Sequence, residues 1–197
     1  MAVERIVVNP PIAALFGLAN GTFEPQAFRE QCERFATFEP RTSFDDMWRF
    51  TLNDETTLIV VVRVQPTEGA KDTGKPEYRQ LRVTCAILSV CWWDTFAKSD
   101  HASESTWSTE KEEFDRCFSE LIIQTTDNLG PPHIQGADED ERRHAYAIWR
   151  GQSGLLVLQQ SAYDPQFGLD VNYWILPWPG SDPSPTSPFI DWLCKAS

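Results

Sequence analysis

The sequence is poor in the residues that build metal sites and disulfide frameworks. Its 197 residues include only three histidines and five cysteines, and none of the cysteines forms a CxxC motif. No histidine is paired with another histidine or with a cysteine at a known ligand spacing. An odd number of cysteines, several of them among apolar neighbours, is typical of free core thiols in a reducing compartment. We therefore predict neither a metal site nor structural disulfides.

Sequence motifs for nucleotide binding and nucleophilic catalysis are also absent. The chain has no GxxxxGK(S/T) loop, no GxGxxG turn and no GxSxG elbow, and none of its cysteines lies in a catalytic signature. We therefore expect no cofactor and no enzyme activity. A small hydrolase remains an alternative, because two carboxylates or a Cys–His pair can be brought together by folding from distant positions.

Long apolar runs are missing as well. The longest of them, such as residues 58–62, have the length of a strand. The N-terminal MAVERIVVNPP lacks the basic region and the apolar stretch of a signal peptide. A membrane-spanning helix needs about 20 predominantly apolar residues. We therefore expect a cytoplasmic protein that does not bind a membrane.

Basic residues are scarce, with 17 Lys and Arg against 29 Asp and Glu, so the formal net charge is −12. Such a charge repels the phosphates of nucleic acids and favours a basic protein partner. The acids are concentrated between Asp100 and Glu141, where twelve acids face only two bases, Lys111 and Arg116. This segment carries −10 of the chain's −12. Charge that only maintains solubility is the alternative interpretation.

The patterns that are present predict one α+β domain, residues 1–197, with a mainly antiparallel sheet and about three helices packed against it. No internal repeat is evident in the sequence. The predicted strands are 48–52 and 57–64 as a hairpin, 78–92, and a meander of 144–150, 155–161 and 169–176. In 78–92 the apolar residues change parity near Ile87, which indicates a bulge or twist there or burial of both faces. The predicted helices begin at Pro25, at a capping box formed by Thr109 and Glu112, and after Ser187 and Pro188.

The C-terminal strands resemble a known family of proteins. The resemblance lies in Ile148-Trp149-Arg150-Gly151, then Leu155-Leu156-Val157-Leu158-Gln159, Tyr163-Asp164, Gly168 and Val171-Asn172-Tyr173-Trp174. This cadence of strand aromatics and turns resembles cytosolic immunity proteins of bacterial contact-dependent growth inhibition and other polymorphic-toxin systems. It implies a protein that binds the C-terminal toxin domain of a cognate effector, in many cases a basic nuclease, and neutralises it.

The acidic segment is the surface that we expect to bind such a partner. The predicted contacts are Trp107, Glu110, Glu113, Asp138, Glu139, Asp140 and Glu141, with Trp107 as an aromatic anchor. A sheet face carrying Trp149, Tyr173 and Trp174 is an alternative binding surface. An acidic secretion chaperone or adaptor, which would hold an extended client, is the alternative function.

Overall fold

A computed structural model describes residues 4–5, 9–40, 46–53, 56–66, 79–93, 104–137, 144–162, 169–184 and 187–197 of the chain. Its helices are α1 (Ile12–Asn20), α2 (Pro25–Cys32), α3 (Glu104–Leu129) and α4 (Phe189–Ala196). Its strands are β1 (Glu4–Arg5), β2 (Thr37–Phe38), β3 (Met47–Asn53), β4 (Thr56–Pro66), β5 (Arg79–Trp93), β6 (Ile134–Ala137), β7 (His144–Arg150), β8 (Gly154–Ala162) and β9 (Leu169–Pro177). None of the helices in these ranges is long and apolar enough to cross a membrane.

All nine strands belong to one antiparallel sheet. The strand order is β2-β3-β4-β5-β9-β8-β7-β6, and β1 pairs with β5 beside this path. The prediction of an α+β fold with a mainly antiparallel sheet is therefore confirmed. The predicted hairpin corresponds to β3 and β4, and the predicted meander corresponds to β7, β8 and β9.

The sheet is built from two four-stranded meanders that meet at β5 and β9. The first meander, β2 to β5, follows α2, and the second, β6 to β9, follows α3. The two halves thus have the same order of elements, one helix followed by four antiparallel strands, although the sequence shows no repeat. The last strands of the two meanders, β5 and β9, are antiparallel neighbours at the centre of the sheet. The first strand of each meander therefore lies at an outer end of the strand order.

Helices cover both faces of the sheet. Helices α1, α2 and α3 pack on one face over a core that includes Leu15, Phe28, Phe114, Leu156 and Tyr173. Helix α4 packs on the other face, where its Phe189 and Leu193 join Ile148, Val157 and Leu176. Because the central strands are buried on both faces, apolar residues occupy consecutive positions in them and not only every second position.

Helix α1 is one more helix than the sequence predicts. Its residues IAALFGLAN follow Pro10 and Pro11, which suggest a broken apolar segment rather than a helix. The apolar residues of α1 do not alternate clearly with polar ones, so its amphipathic period is weak. Its burial against β8 and β9 stabilises the helix instead.

Strand β5 is irregular on both sides of Ile87, and its residues are buried on both faces of the sheet. The register shifts twice, opposite Val61 and Val62 and again between Ser89 and Cys91. The first shift lies between Val83 and Cys85, so these two residues face opposite sides of the sheet although they are two positions apart. Leu81, which keeps the parity of Val83, is 50% exposed.

The predicted start of the acidic helix is wrong. Helix α3 begins at Glu104, five residues before the proposed capping residue Thr109. Thr109 therefore lies inside the helix and cannot be its N-cap. Residues 104–108 contain neither proline nor glycine, so nothing in them stops the helix from extending toward the N-terminus.

Candidate functional site

Helix α3 is held rigidly by its apolar side. Phe114, Cys117, Phe118 and Leu121 are buried in the core beneath α1 and α3. Their spacing of three or four residues places them on one side of the helix, which faces the sheet. The remaining side of the helix is therefore presented to solvent in a fixed orientation.

Polar contacts with the sheet fix α3 along its length. Near its N-terminal half, the Nε2 of Gln160 donates to Oδ1 of Asp115 at 2.6 Å. Further along, the buried hydroxyls of Thr125 and Tyr173 lie 2.7 Å apart. At the C-terminal end, Trp149 Nε1 donates to the carbonyl of Gly130 at 2.9 Å. These three contacts tie α3 to β8, β9 and β7, and oppose rotation of the helix on the sheet.

The solvent side of α3 combines acidic residues with one large apolar side chain. We call it the α3 solvent face and define it by the exposed residues Glu112, Glu113, Arg116, Ser119, Ile123 and Asp127. Ile123 is 60% exposed. Single exposed apolar residues are common on protein surfaces, and Ile123 is a candidate anchor because of the acidic residues beside it.

Ion pairs within the helix reduce the charge of this face. Lys111 Nζ lies 2.7 Å from Asp115 Oδ2. Arg116 lies between two acids, 3.6 Å from Glu113 and 3.9 Å from an oxygen of Glu120. These exposed pairs contribute little stability, about 0–1 kcal/mol each. They do lower the local field below the value expected from the number of acids alone.

The structure describes the side chain of one residue of the predicted contact set, Glu113. Glu113 is exposed on the α3 solvent face, as expected for a contact residue. Trp107 and Glu110 lie within α3, but their side chains are outside the described residues. The acidic run of Asp138, Glu139, Asp140 and Glu141 also lies outside the described residues.

Sequence reasoning missed Ile123. The apolar residues that repeat at helical spacing in this segment are Phe114, Cys117, Phe118, Leu121 and Ile122. Ile123 follows them directly in the sequence, and the repeat does not distinguish it as a surface residue. A helical projection could have identified this residue. In the projection Ile123 lies one turn after Ser119 and among acidic residues, away from the buried positions.

The alternative surface of Trp149, Tyr173 and Trp174 is not available as one exposed face. Trp149 and Tyr173 are buried on the side covered by α1 to α3, with exposures of 3% and 0%. Trp174 points to the opposite side and donates from Nε1 to Gln159 Oε1 at 2.9 Å. Consecutive residues of a strand point to opposite faces, so Tyr173 and Trp174 cannot share a surface.

A groove of about 600 Å³ lies on the other half of the molecule, beside α2. We call it the α2–β5 groove, and its lining residues are Glu24, Pro25, Gln26, Arg29, Trp48, Leu81 and Arg82. The carboxylate of Glu24 accepts from the backbone of Ala27 at 2.9 Å and caps α2. The exposed Leu81 and the half-buried Trp48 are the large apolar side chains of the groove. Its charged lining residues are Glu24, Arg29 and Arg82, and Arg29 pairs with Glu33 at 2.8 Å.

The cysteines differ in exposure, and burial makes two of them poor nucleophiles. Cys32, Cys85, Cys91 and Cys117 are buried, whereas Cys194 is exposed. Burial raises the pKa of Cys32 from 9.0 to about 12 and that of Cys85 to about 11. A thiol with a raised pKa carries little of the reactive thiolate at neutral pH.

The described part of the chain offers no candidate metal site. It contains no group of three or more His, Cys, Asp or Glu residues that could hold a metal ion. The α2–β5 groove has one carboxylate, which already caps a helix. A second groove, between α1 and α2, has a volume of about 330 Å³ and is lined by Ala14, Gly17, Leu18, Gln31, Arg34 and Phe35.

Comparison of the chain with protein-family models, with curated protein sequences and with solved structures finds no match.

Proposed function

We propose that this protein is an immunity protein, which binds a basic toxin domain in the cytosol and neutralises it. The observation that carries the proposal is the position of Ile123, 60% exposed on a helix whose other solvent-facing residues are mostly acidic. An apolar anchor surrounded by charges of one sign fits a partner with an apolar pocket and a basic rim.

The charge and the apolar anchor have different roles in this proposal. Acidic residues such as Glu112 and Asp127 speed the encounter with a basic partner and orient it. Exposed charges add little to the equilibrium affinity, so Ile123 supplies apolar burial at the centre of the contact. The rigid attachment of α3 to the sheet limits the entropy that is lost on binding.

The resemblance of residues 145–178 to immunity proteins of polymorphic-toxin systems supports a toxin as the partner. A nuclease is the expected toxin, because a domain that binds phosphates presents a basic surface. An acidic helix on such a surface would cover the site that binds the nucleic acid or the active site beside it. The protein would then act by occlusion and would need no cofactor or catalytic group.

The proposal is tested with the toxin domain that it requires, which we expect in the reading frame immediately upstream of this one. The C-terminal domain of that frame is expressed in a bacterial host with and without this protein. The proposal predicts that the domain arrests growth alone, that co-expression restores growth, and that the two proteins co-purify. A toxic domain that is neither bound nor neutralised by this protein would contradict it.

Charge reversal separates the two candidate surfaces. The variant E112K/E113K/D127K alters the α3 solvent face, and the variant D138K/D140K alters the acidic run that follows β6. Thermal unfolding of each free variant checks that it is folded. We expect the first variant to lose protection against the toxin, and the second variant shows whether the acidic run takes part as well.

A further inference from the structure

We propose that the groove between α1 and α2 binds a medium-chain carboxylate, with the hydrocarbon chain along α1 and the carboxylate on Arg34. We call it the α1–α2 groove, and its volume is about 330 Å³. It is lined by Ala14, Gly17 and Leu18 of α1, by Gln31 of α2, and by Arg34 and Phe35 of the turn after α2. The groove shares no residue with the α3 solvent face, so the inference does not depend on the proposed function.

The floor of the groove is apolar and part of it is open. Leu18 is 1% exposed, and Ala14 and Phe35 are half-buried. Gly17 is exposed, and a Cβ built on it would meet nothing within 4 Å. Because Gly17 has no side chain, open space remains along α1 beside these apolar residues. A hydrocarbon chain that lies in this space would be removed from water.

The side chain of Gln31 fixes the two helices that form the groove. Its Nε2 donates to the carbonyl of Ala27 within α2 at 3.3 Å. Its amide lies so close to Gly21, the residue that ends α1, that a Cβ on Gly21 would collide with it. Gln31 thereby holds α2 against the end of α1. The groove is therefore preformed, as most sites for small ligands are.

The charge of the groove favours an anion. The described residues that line it include no Asp or Glu, although the chain has 29 of them. Arg34 is exposed and forms no ion pair within the described part of the chain. Its acidic neighbours are engaged elsewhere: Glu33 lies 2.8 Å from Arg29, and Glu30 accepts from Gln26 at 2.8 Å. The planar guanidinium can donate two parallel hydrogen bonds to a carboxylate.

The volume and the single cation define the ligand. A water molecule occupies about 30 Å³ in the liquid, so a groove of about 330 Å³ has room for about ten non-hydrogen atoms. Octanoate has this size, one apolar chain and one negative charge. Phosphate and dicarboxylates need further donors for their additional charge. The single guanidinium therefore favours a monocarboxylate.

Calorimetric titration of the purified chain with octanoate at neutral pH tests the inference. We expect saturable binding at a single site. Butanoate should bind at least about tenfold more weakly, because each buried methylene contributes about a threefold to fourfold factor in affinity. The uncharged 1-octanol should bind about threefold more weakly than octanoate, because it makes no ion pair with Arg34.

Two variants locate the site. R34Q should weaken octanoate binding by about threefold to fivefold, because an exposed ion pair is lost. The matched control R63Q removes the same charge at an exposed position of β4 on the other face of the sheet, and should bind as the wild type does. G17L should abolish binding, because its side chain would occupy the open space along α1. Thermal unfolding checks that each variant is folded.

Each part of the inference has a result that would overturn it. A wild type that does not bind octanoate would show that the groove is not a site for this ligand. Binding of 1-octanol as tight as that of octanoate, or equal affinities of R34Q and the wild type, would show that Arg34 does not bind the carboxylate. A folded G17L that binds octanoate normally would place the ligand elsewhere on the protein.

Discussion

The hydroxyls of Tyr173 and Thr125 lie 2.7 Å apart in the core, and join the central strand β9 to helix α3. The Thr125 hydroxyl also donates to the carbonyl of Leu121 at 2.7 Å, so it is linked to both the helix and the sheet. Both side chains are fully buried. The contact lies beneath the α3 solvent face, and thereby connects the packing of the core with the orientation of the candidate binding surface.

Replacement of Tyr173 by Phe tests this contact. We expect Y173F to lower the free energy of unfolding by about 1–2 kcal/mol, because a buried hydrogen bond is lost and the Thr125 hydroxyl keeps only one partner. Urea denaturation measures the change. In a double-mutant cycle with T125V, the two effects should be strongly non-additive. Additive effects would show that the two hydroxyls do not interact.

The buried thiols predict a loss of stability at alkaline pH. Cys32 and Cys85 have pKa values of about 12 and about 11 in the folded protein, mainly because burial disfavours the thiolate. In the unfolded chain both pKa values return to about 9, so the unfolded state releases protons first as the pH rises. Their contribution is therefore complete below pH 9 and is lost progressively as the pH rises toward 12.

The measurement is the free energy of unfolding between pH 7 and pH 10.5 under reducing conditions. We expect it to decrease above about pH 9, and we expect the decrease to be smaller in C32A. Tyr173 adds to the same trend, because burial also raises its pKa. Replacement of the exposed Cys194 by Ala is the control and should leave the pH dependence unchanged. An equal slope in C32A and in the wild type would contradict the assignment.

Two glycine substitutions should have opposite effects on stability. A Cβ at Gly154, at the start of β8, would lie 2.6 Å from the ring of Phe23 and closer still to the carbonyl oxygen of Leu176. A Cβ at Gly17, within α1, would meet nothing within 4 Å. We expect G154A to lower the melting temperature clearly, because backbone must move to accept it. G17A should raise the stability by up to about 1 kcal/mol through helix propensity.

Thermal unfolding of both variants makes the comparison. The turn before Gly154 is itself bound to α1, since Asn20 Oδ1 accepts from Gln152 N at 2.8 Å. An increase in stability for G154A would show that the contact between this turn, Phe23 and β9 is not tightly packed.

The sequence was sufficient for the elements whose patterns are local. Alternation at Trp48, Phe50 and Leu52 predicts β3, and the turn residues between Arg150 and Leu155 predict the β7–β8 hairpin. These signals agree with the structure because each strand has one partner face and a short connection. The order of β5 and β9 at the centre of the sheet could not be predicted, since it depends on pairs of residues that are 76 to 89 positions apart.

The candidate site could be predicted only in part. The concentration of acids on α3 is visible in the sequence, and Glu113 is exposed as expected. Two features depend on tertiary structure. The exposure of Ile123 follows from the rotation of α3 that Tyr173 and Trp149 impose, and the face that each residue of β5 occupies follows from the shifts of register along the strand. Neither contact has a sequence signature, so neither surface could be assigned from composition.

The central claim is that the α3 solvent face binds a basic toxin domain, and the association rate constant with the upstream-encoded domain tests it most directly. The variant E112K/E113K/D127K is compared with E30K/D46K/D191K, which changes the net charge equally at exposed residues outside this face. We expect only the first variant to slow association by about tenfold or more at low salt and to flatten the salt dependence. Equal rates and equal salt dependence for the two variants would contradict the claim.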